Sequence, residues 1–448
     1  MQQRLSRTAV LLFVAVFLLA AVPAGAQANF STYVAFGDTL TAGFSNGSLV
    51  ETHQRVSYPA LLARQAGVTA FEQPLVSQPG IPAELTLVTL IPPVVSVKAT
   101  NQGAALRLDL PRPYNNLGVP GARVVDLLTR VSDATTTSGT GGGSGPGFHD
   151  LILRGKGTAL AQGISLKPTT VTLWIGNNDV LAAAVAGRAI DGLTLTPLAT
   201  FQASYQSVVD ALKGSGATTI VAANIPDVTT IPFVTTIRPI VVSPTTGAPV
   251  LVNGQTVPLL GPNGPLPANS LVTLAASPLL LKGDGIPSAL GGTGRGLPDE
   301  VILDLNEIAV IRERVGQYNQ VIATICQAAG IPVLDVNGFL TDVAVNGRMV
   351  GGVSLTSAYL SGGLFGYDGI HPTDLGYALI ANEWIRLINA RGGQLEEVNL
   401  GPYLGVTPTP AASAASSARG VVAGGRAPWT AFTAEAYDAL KAAFPLLR

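Results

Sequence analysis

The stretch Tyr33–Phe44, YVAFGDTLTAGF, decides the fold. Tyr33 to Phe36 is a short apolar run that reads as a buried strand, and Gly37 ends it. A strand that closes on glycine and then presents a hydroxyl can hold a nucleophile at the rim of a parallel sheet, because glycine permits a turn that a side chain blocks. The hydroxyl is that of Thr39. Asp38 beside it reads as a turn-former. Thr41 and Ser45 are poorer nucleophile candidates, since neither directly follows the Gly-Asp turn.

Outward from this stretch, strands and helices alternate. Thr170–Ile175 is a second apolar strand, running into Gly176-Asn177-Asn178-Asp179 and an apolar helix, with Asp179 read as the helix N-cap. Thr218–Ala223 is a third strand, ending at Asn224-Ile225-Pro226-Asp227, and Ile331–Asp335 a fourth. Ser57 caps a helix that carries Pro59 in its first turn and stops at Gly67. Phe201 to Lys213 is helical, and Val124, Leu127 and Leu128 begin an amphipathic helix after the loop of Gly118, Pro120 and Gly121. Ile308, Ile311, Val315, Tyr318, Ile322 and Ile325 form one face of a long helix that Gly330 stops. A last helix, capped by Asp374, turns Tyr377, Ile380, Trp384 and Leu387 inward. This order predicts an α/β fold with a parallel sheet covered on both faces. Right-handed crossovers then place every strand C-terminus along one edge.

The remaining segments read as additions. Val68–Leu110 is apolar but broken by Pro and Gly, either an insertion lining an acyl pocket or a β-hairpin packed on the core. Thr135–Gly147 is a Ser/Thr/Gly-rich loop. Residues 232–299 form an inserted lid or subdomain of short strands. Arg4, Arg7, the apolar run Ala9–Val22 and the small-x-small site Ala24-Gly25-Ala26 mark residues 1–28 as a signal peptide, with an uncleaved anchor as the alternative. The run is shorter than the roughly 20 residues of a membrane span, and no stable span is expected after its removal. The main domain is then 29–395. Residues 396–448 are a low-complexity linker with a C-terminal helix at Ala434–Ala443. The expected location is secreted, periplasmic or extracellular.

Charge narrows the partners. Among 448 residues, 26 Lys and Arg balance 27 Asp and Glu. There is no basic excess to neutralise phosphates, so nucleic acid is not an expected partner. With three His and one Cys, no metal-ligand spacing arises, and no cofactor or metal is expected. Cys326 reads as a small buried side chain, and His53 and His149 as solvated loop residues.

Three features would converge at the sheet edge: Gly37-Asp38-Thr39-Leu40, Gly176-Asn177-Asn178-Asp179 and Asp368-Gly369-Ile370-His371-Pro372. A hydroxyl nucleophile needs a base, for which His371 is the candidate, and the base needs an orienter, for which Asp368 stands three residues earlier. Candidate oxyanion donors are the N–H groups of Thr39 and Gly121 and the Asn178 amide.

In this ordered set, from FGDTLTAGF through the Gly121 loop and GNND to DGIHP, the chain resembles the SGNH (GDSL-type) hydrolases over about Ser31 to Ala390. The resemblance implies a three-layer α/β/α, flavodoxin-like fold, an esterase or lipase activity on a small-molecule or lipid ester, a triad of Thr39, Asp368 and His371, and an oxyanion hole of Thr39, Gly121 and Asn178. The departure is Thr39, where the family carries serine. Its extra methyl restricts χ1 and crowds the attacking face. Three readings stay open at this point: a slower nucleophile, a site adapted around threonine, or a protein that binds an ester, lipid or glycan without cleaving it.

Overall fold

The computed structural model describes residues 28–90, 93–133, 147–243, 246–405 and 431–443. Residues 1–27 of the expected signal peptide, residues 135–146 of the Ser/Thr/Gly-rich stretch and the 406–430 part of the linker lie outside the described residues. In chain order the elements used below are β1 (Tyr33–Gly37), α1 (Thr39–Ala42), α2 (Tyr58–Gln65), β2 (Leu85–Leu90), β3 (Pro93–Val97), β4 (Asn116–Gly118), α3 (Ala159–Ser165), β5 (Thr170–Trp174), α4 (Asn178–Ala186), α5 (Leu198–Gly214), β6 (Thr219–Ala223), α6 (Leu305–Ala329), β7 (Val333–Leu334), α7 (Asp374–Asn389), β8 (Ala431–Phe432) and α8 (Ala434–Ala443).

Five strands form the central sheet in the order β4-β1-β5-β6-β7, every neighbouring pair parallel. Numbered along the chain, these sheet strands run 2-1-3-4-5, the flavodoxin-like order. The reason β1 is apolar throughout lies in its two covered faces. Val34 and Phe36 face a core built with α3, α4, α5 and α6. Tyr33 and Ala35 face the opposite layer of α2 and α7. On that second face the Tyr33 hydroxyl meets the Thr172 hydroxyl at 2.8 Å, and Tyr58 stacks on Trp384 with centroids 5.1 Å apart. The result is a three-layer α/β/α sandwich.

Local signals behave as their chemistry dictates. Ser57 caps α2 by accepting the Ala60 N–H. Asp304 and Glu307 make a reciprocal capping box that starts α6, and Gly330 in the left-handed region ends it. Several boundaries differ from expectation. Gly118, expected to lie in a loop, ends the edge strand β4, Asn116–Gly118, whose buried polar Asn116 is satisfied because Nδ2 donates to the Thr41 carbonyl. The helix expected from Val124 is a single turn, Asp126–Thr129. The fourth strand shrinks to Val333–Leu334. Thr373, and not Asp374, caps α7.

The insertions join the same core. β2 and β3 pair as an antiparallel hairpin, with Leu85 and Val95 fully buried. Within 232–303, Leu251–Val252 pairs with Gln255–Thr256, Leu260–Gly261 with Gly264–Pro265, and Leu271–Val272 with Ile302–Leu303. The C-terminal β8 adds to the hairpin parallel to β3, Phe432 opposite Val95. Among the described residues no helix is long and apolar enough to cross a membrane.

Candidate active site

The 2-1-3-4-5 order makes a crevice at the C-terminal ends of the strands, where the chain reverses direction across the sheet. β1 delivers Thr39 there. Gly37 is required for the turn, since a Cβ would lie 2.0 Å from the Thr41 hydroxyl and 2.3 Å from the Trp174 carbonyl. Asp38 caps α1, accepting the Leu40 N–H at 3.1 Å. Thr39 is therefore the first residue of a helical turn, where N–H groups have no intrahelical acceptor.

Asp38 does more than form a turn. It is fully buried, and its Oδ2 accepts the Asn177 amide at 2.8 Å. Burial pushes its carboxyl up to about 6, while the Asn177 amide, the Leu40 N–H and the nearby His371 favour its charged form. This bond ties the turn that carries Thr39 to the loop after β5. Asn177 was not singled out from the sequence, where it is one of two adjacent Asn residues.

Asn178 and the Gly121 loop meet directly: Asn178 Nδ2 donates to the Ala122 carbonyl at 3.0 Å. One amide hydrogen is thereby used and the amide plane is fixed. Gly121 adopts a φ of +78°, a left-handed conformation open to glycine. Asp179 is not the N-cap. It lies inside α4 and accepts the Val124 N–H at 3.0 Å, a second tie between this helix and the Gly121 loop. Burial pushes its carboxyl up to about 7.

Asp368 and His371 form a buried pair, with His371 Nδ1 2.9 Å from Asp368 Oδ2. The carboxylate is saturated with donors. Oδ1 accepts the N–H groups of Ile370 and His371, and Oδ2 also accepts the Gly47 N–H at 2.6 Å. Burial works against its charge, yet the His371 ring and these N–H groups outweigh it and hold the carboxyl below its ordinary range. Gly369 permits the tight return, with a φ of +68° and the Phe233 backbone so close that a Cβ would lie 2.9 Å from its nitrogen. The Phe44 ring packs on His371 at 4.8 Å. The Tyr377 hydroxyl donates to the Phe44 carbonyl at 2.6 Å, fastening α7 to the end of the turn that carries Thr39.

The sequence matches the GDSL-like Lipase/Acylhydrolase family over residues 33–384, most of its length. The chain belongs to that family. The GDSL-like hydrolase also shows likeness to two solved structures. One is a variant of an acetyl-xylooligosaccharide esterase from Geobacillus Stearmophilus, at 14% identity and a TM-score of 0.37, covering 82% of this chain and 95% of that one. The other is an α/β hydrolase from the metagenome of Lake Arreo, Spain, at 13% identity and a TM-score of 0.35, covering 80% and 95%. No curated protein matches the sequence.

Two histidines of this GDSL-like hydrolase are placed differently from expectation. His149 is buried, with Nδ1 3.2 Å from Asp133 Oδ1. His53 is largely buried between Asp374 and Glu84. Among the described residues no group of three His, Cys, Asp or Glu side chains is placed to hold a metal ion.

Proposed function

We propose that this GDSL-like protein is a carboxylic-ester hydrolase that works by double displacement through Thr39, His371 and Asp368. What supports the reading most is the buried Asp368–His371 pair at 2.9 Å, whose imidazole packs against Phe44 at the end of the turn that carries Thr39. His371 takes the Thr39 proton as its oxygen attacks the ester carbonyl carbon. The C=O electron pair moves to oxygen, facing the Thr39 N–H, the Gly121 N–H and the second amide hydrogen of Asn178. Collapse of this intermediate breaks the bond to the alcohol, which leaves with the proton from His371. Water, deprotonated by His371, attacks the acyl-enzyme and releases the acid, returning the proton to Thr39. Asp368 keeps the Nδ1–H tautomer and balances the imidazolium. The apolar insertions favour a lipid or acyl-chain ester over an acetylated sugar.

The test is hydrolysis of short- and long-chain p-nitrophenyl esters by the full chain and by Thr39→Ala, Thr39→Ser and His371→Ala. The expected result is turnover in the parent, loss in Thr39→Ala and His371→Ala, and at least parental activity in Thr39→Ser. Hydrolysis unchanged by Thr39→Ala would overturn the nucleophile assignment. A parent inert on every ester, with activity appearing only in Thr39→Ser, would establish the binding-protein reading instead. We further propose export with removal of residues 1–28, read out by N-terminal sequencing of protein recovered outside the cytoplasm. An N-terminus that still carries Arg4 and Arg7 would overturn this.

A further inference from the structure

A second histidine–carboxylate pair stands behind the first. Ser45 to Ser48 is a tight turn closed by backbone bonds in both directions, with Asn46 and Gly47 at φ of +50° and +69°. Two successive left-handed residues are the geometry that Asn-Gly turns adopt. This turn grips the catalytic loop at three points. The Ser45 hydroxyl donates to the Pro372 carbonyl at 2.8 Å, Asn46 Oδ1 accepts the Tyr367 N–H at 2.9 Å, and the Gly47 N–H donates to Asp368 Oδ2 at 2.6 Å.

His53 backs the turn. Its Nδ1 lies 2.6 Å from Asp374 Oδ1, three residues beyond His371. Its Nε2 lies 3.3 Å from Glu84 Oε2 and equally 3.3 Å from the Asn46 amide nitrogen. The two contacts at Nε2 exclude one another. An imidazolium donates there to Glu84, whereas a neutral ring that keeps Nδ1–H offers a lone pair to the Asn46 amide.

We propose that His53 is a positioning residue for the Asp368–His371 pair: as an imidazolium bridging Asp374 and Glu84 it holds the Asn46–Gly47 turn in the register that grips Asp368, and its deprotonation transfers Nε2 from Glu84 to Asn46 and disturbs that grip. The proposal rests on the Asp368–His371 reading above. The charged and titratable neighbours are few. Asp374 comes from α7. Glu84, just before β2, is paired with Lys98 after β3. Tyr367 on the catalytic loop has its hydroxyl pushed up by burial and by Glu84 to about 12. Glu51 and Arg55 pair with each other on the turn that carries His53. Burial favours the neutral His53 ring, but the bonds and charges of Asp374 and Glu84 outweigh it and hold the imidazole up at about 9. The charged bridge is thus the neutral-pH state.

The experiment follows the imidazole and downfield proton resonances of the full chain labelled at its three histidines, with His149→Gln used for assignment. In the parent, the His371 Nδ1–H signal is expected to shift with the same alkaline midpoint as the His53 ring. In His53→Gln the signal is displaced and the alkaline transition vanishes, and His53→Lys, which restores a cation, moves it back. On an ester substrate, His53→Gln is expected to lose about tenfold in kcat with KM unchanged, the loss of a misplaced catalytic group. A His371 signal insensitive to His53 titration in the parent, or unmoved in a folded His53→Gln of lowered Tm, overturns the proposal and leaves a structural role only. The parent titration needs no variant to fold. It also needs no turnover, so a parent inert on esters counts against the proposed hydrolysis and not against this coupling.

Discussion

At Asp368, four N–H groups converge on two oxygens: those of Ile370 and His371 on Oδ1, and those of Gly47 and the His371 ring on Oδ2. An amide cannot satisfy this set. In either orientation Asp368→Asn points an NH2 at N–H donors, so it misorients His371 or forces the wrong tautomer. The expected loss in kcat is on the order of 10⁴-fold, with near-native circular dichroism. A loss of less than tenfold in the folded variant would show that the carboxylate is not the orienter. The Asp368–His371 pair was legible in the sequence because its members are three residues apart around a glycine. His53 was not, because its partners Glu84 and Asp374 lie 31 and 321 positions away. A polar residue in a polar stretch then reads as solvated, although the Asn46-Gly47 dipeptide nearby was a readable turn signal. Asp179 was misplaced for a related reason, since its partner Val124 belongs to another loop.

Among the elements, long and periodic ones declared themselves. The α6 stripe and the apolar β1 carry their own signal, one through its period and the other through burial on both faces. β4 did not, being three residues with Asn at one end and Gly at the other, and a strand only because β1 supplies its ladder. The C-terminal β8 lacked any signal for the same reason. It pairs with β3, and its Phe432 ring sits edge-on to Phe233 at 6.3 Å. Phe233 in turn donates its N–H to the Gly369 carbonyl at 2.8 Å, inside the loop that carries Asp368 and His371. Phe432→Ala is expected to cost about 3 kcal/mol in denaturant unfolding, as for a large aromatic removed from a packed site. Truncation after Gly405 is expected to lower stability and kcat/KM together. An unfolding midpoint unchanged by truncation would show that the tail is not part of the core.

For the whole molecule, the buried titratable groups set the pH at which the fold is strongest. His53 is raised from 6.5 to about 9. Its contribution is complete below 6.5 and is lost as pH climbs through about 9. Asp38 and Asp179 are raised from 3.8 to about 6 and about 7. The native state therefore binds more protons than the unfolded chain between these values, and stability falls as pH rises across that window. Asp368 acts oppositely: its lowered carboxyl adds stability above the ordinary value of 3.8, which is lost as pH falls through its folded value. Denaturation midpoints taken against pH should thus decline from mildly acid to alkaline conditions. Asp38→Asn should flatten the slope between about 4 and 6, and His53→Gln that between 6.5 and 9. A profile indifferent to both substitutions would contradict these assignments.

The pairing of β8 with β3 also has a consequence in time. A chain is made from its N-terminus, so β3 is present long before residues 431–432 exist to cover it. Until then its free edge offers unpaired N–H and C=O groups, a template for another chain. Release of an incomplete product would leave that edge open for good. Residues 431–432 thus shield the hairpin late: its β3 edge is covered against neighbouring chains only once synthesis has passed Phe432.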